Sequence, residues 1–340
     1  MADSDPPWVH SELGAELLDQ VIQHAQDPHT RSAGSRVTLL HKTVGRHSEI
    51  SAYCLRTHLG LKSVVVKRTC PPTPSAVEAL QREYATLQKL VEDIGGQLGD
   101  TLPRPLMFSG THMVVTMLSG TQLHKELKHI ANVVRGPLKR NALETIGERV
   151  GEWLRKFHEL TSAGSLPHDH QEFGAEIDKR IAQCGVRDAT LARVREVSLE
   201  MSQSIEGTMI PAAFSHGDFI PQNILVRKES VAVVDFANCS EQAPIYEDVA
   251  HFLGYVALLK TNLMYSPDAL QSLASGFQAG YAWVLDPELL RLFLFKAMLR
   301  MISDSPPAGS LFYRFRAGKL NRLLIDLADR AREPLALGRR

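Results

Sequence analysis

The sequence lacks several features that mark specialised classes of protein. Its four cysteines are scattered and form no CxxC pair; they are Cys54, Cys70, Cys184 and Cys239. This spacing predicts reduced thiols and argues against a metal site or a disulfide framework. Charge of one sign is not in excess, because 38 basic residues balance 38 acidic ones. The charge of the whole chain therefore gives no reason to expect binding to nucleic acid or to a membrane.

Long apolar runs are missing as well. No stretch approaches the roughly 18 residues that a helix needs to span a bilayer, so we expect no membrane span. The first residues, MADSDPPWVH, combine acids and prolines where a signal peptide has basic and apolar regions. Together with the reduced thiols, these absences predict a cytoplasmic protein.

The segment Phe214–Cys239 carries the strongest pattern in the chain, FSHGDFIPQNILVRKESVAVVDFANC. Two β-forming runs, NILV and VAVV, flank the polar turn RKES, which predicts a hairpin. This hairpin would hold Asn223 and Asp235 near each other at one end, with Asp218 on the loop that leads in. Two carboxylates and an amide that converge in this way offer the oxygen ligands that Mg²⁺ prefers.

The spacing resembles the phosphotransferase signature H-x-D-x-x-x-x-N followed by a strand and D-F. Because the motif begins His-Gly-Asp, it most resembles the aminoglycoside phosphotransferase and choline kinase family, whereas protein kinases more often carry H-R-D and D-F-G. The resemblance implies an α+β, two-lobed protein-kinase-like fold. Its small lobe would be an antiparallel β-sheet plus one helix, and its larger lobe would be mainly helical. It also implies ATP and Mg²⁺ as cofactors.

The resemblance assigns roles to the residues of the motif. Asp218 is expected to orient the acceptor hydroxyl or accept its proton, with Asn223 as a second catalytic residue. Asn223 and Asp235 are expected to hold Mg²⁺. His216 is expected to shape the loop by hydrogen bonding, and Ala237 replaces the glycine of D-F-G.

The small lobe contains further matches to this family. Five β-forming runs predict strands at 37–40, 50–56, 63–67, 105–108 and 112–117, and an apolar period predicts a helix over 73–94. The resemblance pairs Lys67, at the end of the third strand, with a glutamate of that helix, so that the lysine faces the nucleotide phosphates. Glu83 is the expected partner and Glu78 the alternative. A lysine that simply extends to solvent is the plainer interpretation.

Two connections of the small lobe are expected to contact the nucleotide. The loop after the first strand has a single glycine instead of G-x-G-x-x-G, and Gly45 and Ser48 are its candidates for the phosphates. An ordinary hairpin turn explains this loop equally well. After the fifth strand, Met117 and Leu118 are expected to form the hinge whose backbone groups contact the adenine edge.

The chain is expected to divide into three segments. Residues 1–34 would be an N-terminal extension with one helix, capped by Ser11. Residues 35–119 would be the small nucleotide-binding lobe, and 120–340 the large catalytic and substrate-binding lobe.

The large lobe is expected to consist of apolar-periodic helices at 141–160, 173–184, 188–205, 248–260, 266–284, 287–302 and 311–332. His158 is expected to support the catalytic loop, and Asp248 to brace it, with Glu247 as a rival. His168 and His170 lack further ligands in their neighbourhood of the sequence, which favours a surface loop over a metal site.

The resemblance implies an enzyme that moves the γ-phosphate of ATP, with Mg²⁺, to a hydroxyl of a small molecule: an amino sugar, a sugar, a choline-like compound or an antibiotic. Between His124 and Arg140, basic residues face a single acid, Glu126. They form either a solvated helix face or an entrance that repels polycationic aminoglycosides. A protein or glycan kinase is a second interpretation. A pseudoenzyme or nucleotide-binding scaffold is a third, prompted by the poor glycine loop and Ala237.

Overall fold

A computed structural model of the protein describes residues 12–26, 36–45, 48–57, 60–184, 189–303 and 311–329. The chain forms two compact units. Unit 1 comprises the described residues up to Gly120 together with Ala232–Cys239, and unit 2 comprises Thr121–Val231 and the described residues from Ser240 onward. Ser11, the expected helix cap, lies outside the described residues.

Unit 1 is built on a five-stranded antiparallel sheet with strand order β1-β2-β3-β5-β4. Its elements are α1 (Glu12–Gln26), β1 (Val37–Val44), β2 (Ser48–Thr57), β3 (Gly60–Thr69), α2 (Pro74–Leu98), β4 (Pro105–Ser109) and β5 (His112–Thr116). Thr73 caps α2 by accepting the backbone N–H of Ala76, and Pro74 occupies the first turn, where its missing N–H costs nothing. The small antiparallel sheet and its helix are thus present as predicted; the first four strands are longer than predicted, and β5 ends one residue earlier.

The first helix, α1, packs its apolar face against the sheet of unit 1. Buried leucine, valine and isoleucine side chains of α1 share one core with side chains of β1, β2, β3 and β5: Leu17, Leu18, Val21, Ile22, Val37, Tyr53, Leu55, Val64, Val66 and Val114. Removing this apolar surface from water stabilises the contact. The helix is therefore a structural part of unit 1.

Unit 2 is mainly helical, with short strands between its helices. In chain order the remaining elements are β6 (Thr121–Gln122), α3 (Leu123–Ile130), α4 (Arg140–Leu160), β7 (Ser162–Pro167), α5 (His170–Gln183), α6 (Ala189–Ser204), β8 (Met209–Ser215), β9 (Ile224–Val226), β10 (Val231–Val233), β11 (Ser240–Pro244), α7 (Tyr246–Lys260), α8 (Pro267–Tyr281), α9 (Pro287–Ser303) and α10 (Leu311–Asp329). Strands β7, β8 and β11 form an antiparallel sheet, and β6 pairs with β9. The boundary between the two units falls within β10. No helix in the described ranges has an apolar stretch long enough to cross a bilayer.

Helices α4 and α8 approach each other closely because each presents two glycines on one face. A Cβ added at Gly147 would lie 2.2 Å from the carbonyl oxygen of Leu273, and one at Gly276 would lie 2.0 Å from that of Glu144. Glycines one turn further along repeat the arrangement, at Gly151 and Gly280. The contact fixes the position of α4, whose last turn carries His158.

Candidate active site

Lys67 is held by two carboxylates of unit 1. Its Nζ donates to Oε1 and Oε2 of Glu83, at 3.0 and 2.9 Å, and to Oδ1 of Asp235 at 2.6 Å. Burial alone would lower the pKa of Lys67, but the charges of Asp235 and Glu83 outweigh burial and raise it. The lysine is therefore an ammonium at neutral pH, with a fixed position.

Local structure explains why these side chains meet. Side chains alternate along β3, so Lys67 projects from the face opposite Val66, which is buried against α1. On α2, Glu83 lies on the same face as the buried Leu80 and Leu87 and is itself buried. Glu78, the alternative partner, is exposed.

Asp235 has an unusual backbone conformation. Its φ is 69°, in the left-handed region that side-chain-bearing residues seldom adopt. The next residue, Phe236, is buried, whereas the Asp235 side chain remains 40% exposed. Strain of this kind collects where the surroundings force a side chain into a set direction, often at functional sites. Here it presents a carboxylate that is oriented by Lys67 and still reaches solvent.

The structure describes part of the loop that was expected to cover the nucleotide. The N–H of Gly45 donates to the carbonyl of Ser48 at 2.8 Å and closes the turn between β1 and β2. A Cβ at Gly45 would lie 3.2 Å from that oxygen, so a larger residue would crowd the turn. Residues 46 and 47 lie outside the described residues. The roles of Gly45 and Ser48 stay predictions.

At the expected hinge, one backbone group is already used. The N–H of Met117 donates to the carbonyl of Ser63 at 3.0 Å, which extends the pairing of β5 with β3. The Met117 carbonyl and the backbone of Leu118 are therefore the groups to which the predicted contact with a nucleotide base still applies, and that contact stays a prediction.

In unit 2, Asp218 and Asn223 contact each other directly. Nδ2 of Asn223 donates to the Asp218 carbonyl at 2.9 Å and to its Oδ2 at 3.0 Å. The N–H groups of Ile220 and Asn223 close the intervening turn by donating to the carbonyls of Asp218 and Ile220. Phe219 is fully buried and stacks on Trp153, which anchors the turn to α4. The amide thus fixes the orientation of the Asp218 carboxylate.

The backbone that leads into this turn is braced by Asp248 at the start of α7. Oδ2 of Asp248 accepts the N–H of His216 at 2.8 Å, and Oδ1 accepts the N–H of Gly217 at 2.9 Å and the Ser215 hydroxyl at 3.1 Å. His158 lies 3.3 Å from Oδ2 through Nε2 and 2.8 Å from the Tyr281 hydroxyl through Nδ1. Burial alone would raise the pKa of Asp248, but hydrogen bonding and the charges of His158 and His216 lower it.

A second brace comes from α9. Nη1 of Arg300 donates to the Gly217 carbonyl at 2.5 Å, so both the N–H and the carbonyl of Gly217 are held by side chains of unit 2. The rival of Asp248, Glu247, forms an ion pair with Lys296 instead. The Arg300 contact has no signal in the sequence, because Arg300 lies in an apolar helix far along the chain from Gly217.

His168 and His170, the pair weighed above as metal ligands, both lie near the hydroxyl of Ser202. His168 is buried and lies 2.7 Å from the Ser202 hydroxyl, and His170 lies 3.1 Å from the same oxygen. Asp169 caps α5 by accepting the N–H of Glu172. The expectation of a surface loop is correct only in part: His168 and Asp169 lie in the connection between β7 and α5, but His168 is buried and α5 begins at His170. Within the described part of the chain, no three His, Cys, Asp or Glu side chains are grouped to hold a metal.

Unit 2 also contains a pocket of about 400 Å³ beside the Asp218 turn. Two hydrogen bonds join its walls to the turn: the N–H of His124 donates to the Pro221 carbonyl at 3.0 Å, and Gln222 donates to the Tyr255 hydroxyl. Apolar, hydroxyl and cationic side chains line it: His124, Lys128, Asn132, Tyr255, Leu258, Leu259, Thr261, Asn262, Met264, Tyr265 and Lys319. The sequence could not reveal this pocket, since its residues are far apart in the chain; the basic run after the hinge was the one available signal.

Comparisons with known proteins agree with this geometry. The model of a family described as phosphotransferase enzyme family matches residues 46–293. No curated protein matches the chain significantly. Among solved structures, the ADP-bound aminoglycoside phosphotransferase APH(2'')-Ib has 14% identity and a TM-score of 0.54, with coverage of 91% of this chain and 98% of that chain.

Two further structures resemble the chain to the same degree. A ternary complex of the aminoglycoside phosphotransferase APH(4)-Ia with AMP-PNP and hygromycin B has 12% identity and a TM-score of 0.58, covering 91% of this chain and 97% of that chain. A glucosamine kinase has 16% identity and a TM-score of 0.56, covering 92% and 85%. At these identities the likeness concerns the fold, and it confirms the predicted protein-kinase-like class.

Proposed function

This chain belongs to the phosphotransferase enzyme family, and we propose that it transfers the γ-phosphate of ATP, with Mg²⁺, to a hydroxyl of a small molecule. The observation that carries the proposal is the ion-paired Lys67, held by a buried glutamate and by an aspartate in a strained conformation. A scaffold that bound no nucleotide would have no need to bury this charge cluster, since buried charges add little stability.

The residues of the chain fit a magnesium-bound nucleotide. Lys67 carries a fixed positive charge suited to phosphate oxygens. Asp235 and Asn223 offer the carboxylate and amide oxygens that a hard cation prefers, and Mg²⁺ is commonly held by one or two carboxylates together with water and phosphates. When bound, Mg²⁺ would neutralise charge on the phosphates. We assign Met117 and Leu118 to the base, and Gly45 and Ser48 to the phosphates.

Phosphoryl transfer depends on alignment more than on covalent chemistry by the protein. Asp218 would accept a hydrogen bond from the acceptor hydroxyl and take its proton as the phosphoryl group transfers. Asn223 holds the carboxylate of Asp218, and Asp248 and Arg300 hold the backbone before it. The turn is thus prearranged, so little reorganisation is needed when substrates bind.

We assign the acceptor to the pocket beside the Asp218 turn, because His124 and Tyr255 are bonded to residues 221 and 222 of that turn. Burial and the charge of Lys128 lower the pKa of His124, so this ring is neutral at neutral pH. The cations in the lining are then Lys128 and Lys319. A neutral or anionic acceptor suits such a pocket, whereas a polycationic aminoglycoside does not.

The test is transfer of labelled γ-phosphate from ATP to a panel of sugars, amino sugars, sugar phosphates and amino alcohols. We expect Mg²⁺-dependent transfer to at least one acceptor. Asp218→Asn should lower kcat by about 100-fold or more while the Kd for ATP, measured by calorimetry, stays unchanged. Asp268→Asn, at an exposed site on α8, is the matched control. Undiminished turnover in Asp218→Asn would refute the assignment, and ATP binding without turnover across the panel would favour a scaffold.

A further inference from the structure

An exposed apolar patch lies on unit 2 where two loops pair. Residues that follow α3 and residues that follow α7 expose large apolar side chains, from 53% for Val133 to 90% for Leu263. We call this set the apolar patch: Val133, Val134, Leu138, Leu263 and Met264. The loops are adjacent because the N–H of Val133 donates to the Met264 carbonyl at 3.1 Å, and Asn132 bridges to Tyr265.

Hydrogen bonds hold the backbone under the apolar patch in place, so these side chains stay exposed and do not fold into the core. Oδ1 of Asn132 accepts the N–H groups of Val134 and Arg135, and its Nδ2 donates to the carbonyls of residues 128 and 129. Gly136 packs so tightly that a Cβ there would lie 2.7 Å from Cβ of Ser266. Exposed apolar side chains gathered on loops that hydrogen bonds hold in place are a usual sign of an interaction site.

Basic residues lie next to the apolar patch in the sequence, and Lys128 lines the same pocket as Met264. Six exposed basic side chains of α3 and the loop after it form what we call the basic rim: Lys125, Lys128, His129, Arg135, Lys139 and Arg140. Two acids accompany them: Glu126 on α3, and Asp268, which pairs with Arg140 at 2.7 Å. Because the whole chain has no net charge, this rim is a local concentration of positive charge.

We propose that this surface docks on an anionic lipid bilayer, with the apolar patch inserted among the lipids and the basic rim against the headgroups. Apolar side chains flanked by lysine and arginine are the combination that binds membrane interfaces, and each basic residue near an anionic surface adds attraction. A second copy of the chain would set one basic rim against another. The phosphates of a nucleic acid would pair with the basic rim, but they would also face the apolar side chains of the patch.

Docking would bring the pocket to the membrane. Met264 of the apolar patch and Lys128 of the basic rim both line the pocket of unit 2. If the pocket holds the acceptor, which rests on the proposed function, a bilayer-borne or lipid-headgroup hydroxyl would reach it directly. Membrane docking itself does not depend on phosphotransfer and is tested without ATP.

The experiment is flotation of the full chain with vesicles at low salt. Vesicles of phosphatidylcholine alone are compared with vesicles of equal parts phosphatidylcholine and phosphatidylglycerol. We expect binding to the anionic vesicles only, weakened by added salt. Leu138→Asp and Leu263→Asp should each lower the partition coefficient by about tenfold. Lys139→Glu should lower it by at least about fivefold.

Matched controls lie outside the surface. Val284→Asp changes a fully exposed valine, and Lys228→Glu an exposed lysine, elsewhere on the chain; both should bind vesicles like the wild type. The proposal is overturned if Leu138→Asp binds as well as Val284→Asp, or if neutral and anionic vesicles bind equally. It is also overturned if sedimentation velocity shows a dimer that Leu138→Asp dissociates, since the patch would then join two copies. Loss of phosphotransfer with vesicle binding retained would count against the proposed function alone.

Discussion

Oδ2 of Asp248 lies 2.8 Å from the backbone nitrogen of His216, the first residue of the H-G-D motif. Through this bond and its neighbour at Gly217, a buried side chain of α7 sets the course of the backbone that presents Asp218. Asp248 is itself held by His158 at the end of α4. The Asp218 turn is therefore positioned by the helical core of unit 2.

Replacing Asp248 by asparagine should destabilise unit 2 and lower activity. The amide supplies one acceptor oxygen instead of two, so the N–H of His216 or of Gly217 loses its bond to this side chain. Gly217 keeps the Ser215 hydroxyl as an acceptor, whereas loss of the bond to the buried His216 costs about 1–3 kcal/mol. We expect that drop in the free energy of unfolding by urea denaturation, and a fall in kcat larger than any rise in KM for ATP. Glu247→Gln, at the neighbouring position on α7, is the control, because its partly exposed ion pair should contribute less than about 1 kcal/mol. Equal effects of the two substitutions would contradict a bracing role for Asp248.

The same carboxylate should make stability depend on pH in acid. Burial acts to raise the pKa of Asp248, but the hydrogen bond and charge of His158, with those of His216, bring it below the ordinary 3.8. A folded-state pKa below the unfolded value contributes stability that is complete above the unfolded pKa and is lost as pH falls through the folded one. The difference in unfolding free energy between wild type and Asp248→Asn should therefore shrink below about pH 4. A difference that stays constant down to acid unfolding would show that the carboxylate is not ionised in the native state.

Lys67→Met should impair nucleotide use far more than folding. The substitution keeps the length of the side chain and removes the charge that we assign to the phosphates, so kcat/KM for ATP should fall by about 100-fold or more. Lys62→Met is a control on the same strand, and because the two positions differ by an odd number of residues, Lys62 lies on the opposite face. Steady-state kinetics with varied ATP measures both. If Lys67→Met retains wild-type kcat/KM, the cluster with Glu83 and Asp235 is structural only.

Much of this fold could be predicted because its elements have strong local patterns. The apolar period of α2 and the turn between β9 and β10 are signals within a few residues, and the structure has both. The family resemblance was needed to suggest that Lys67 has a glutamate partner. The structure of α2, with Glu83 on its buried face, was needed to identify that partner. By contrast, β7 and β8 had no predicted counterpart: Pro211 interrupts one, SAGSLP has few β-forming residues, and only their pairing makes them strands.

Contacts that depend on packing could not be predicted from the sequence either, because they form only in the folded chain. Arg300 reaches the Gly217 carbonyl only because α9 lies against the core of unit 2, and the pocket beside Asn223 forms only when α3, α7 and α10 meet. The basic run after the hinge was visible in the sequence. The structure was needed to show that the loops after α3 and α7 pair and bring their exposed apolar side chains to the same part of unit 2 as this run.

The four glycines between α4 and α8 give a prediction that runs against helix propensity. Alanine favours a helix over glycine by about 1 kcal/mol, so Gly→Ala within a helix usually stabilises. At Gly276, however, the new Cβ would lie 2.0 Å from the Glu144 carbonyl oxygen, and a backbone atom cannot move aside without separating the helices. We expect Gly276→Ala to lower the free energy of unfolding by about 1–3 kcal/mol or more. Gly254→Ala on α7 is the matched control, because its Cβ would lie 3.4 Å from Cε of Met301, the flexible end of a side chain. Urea denaturation should show Gly254→Ala as stable as the wild type or more so. If Gly276→Ala were equally stable, the close approach of α4 and α8 would not depend on its glycines.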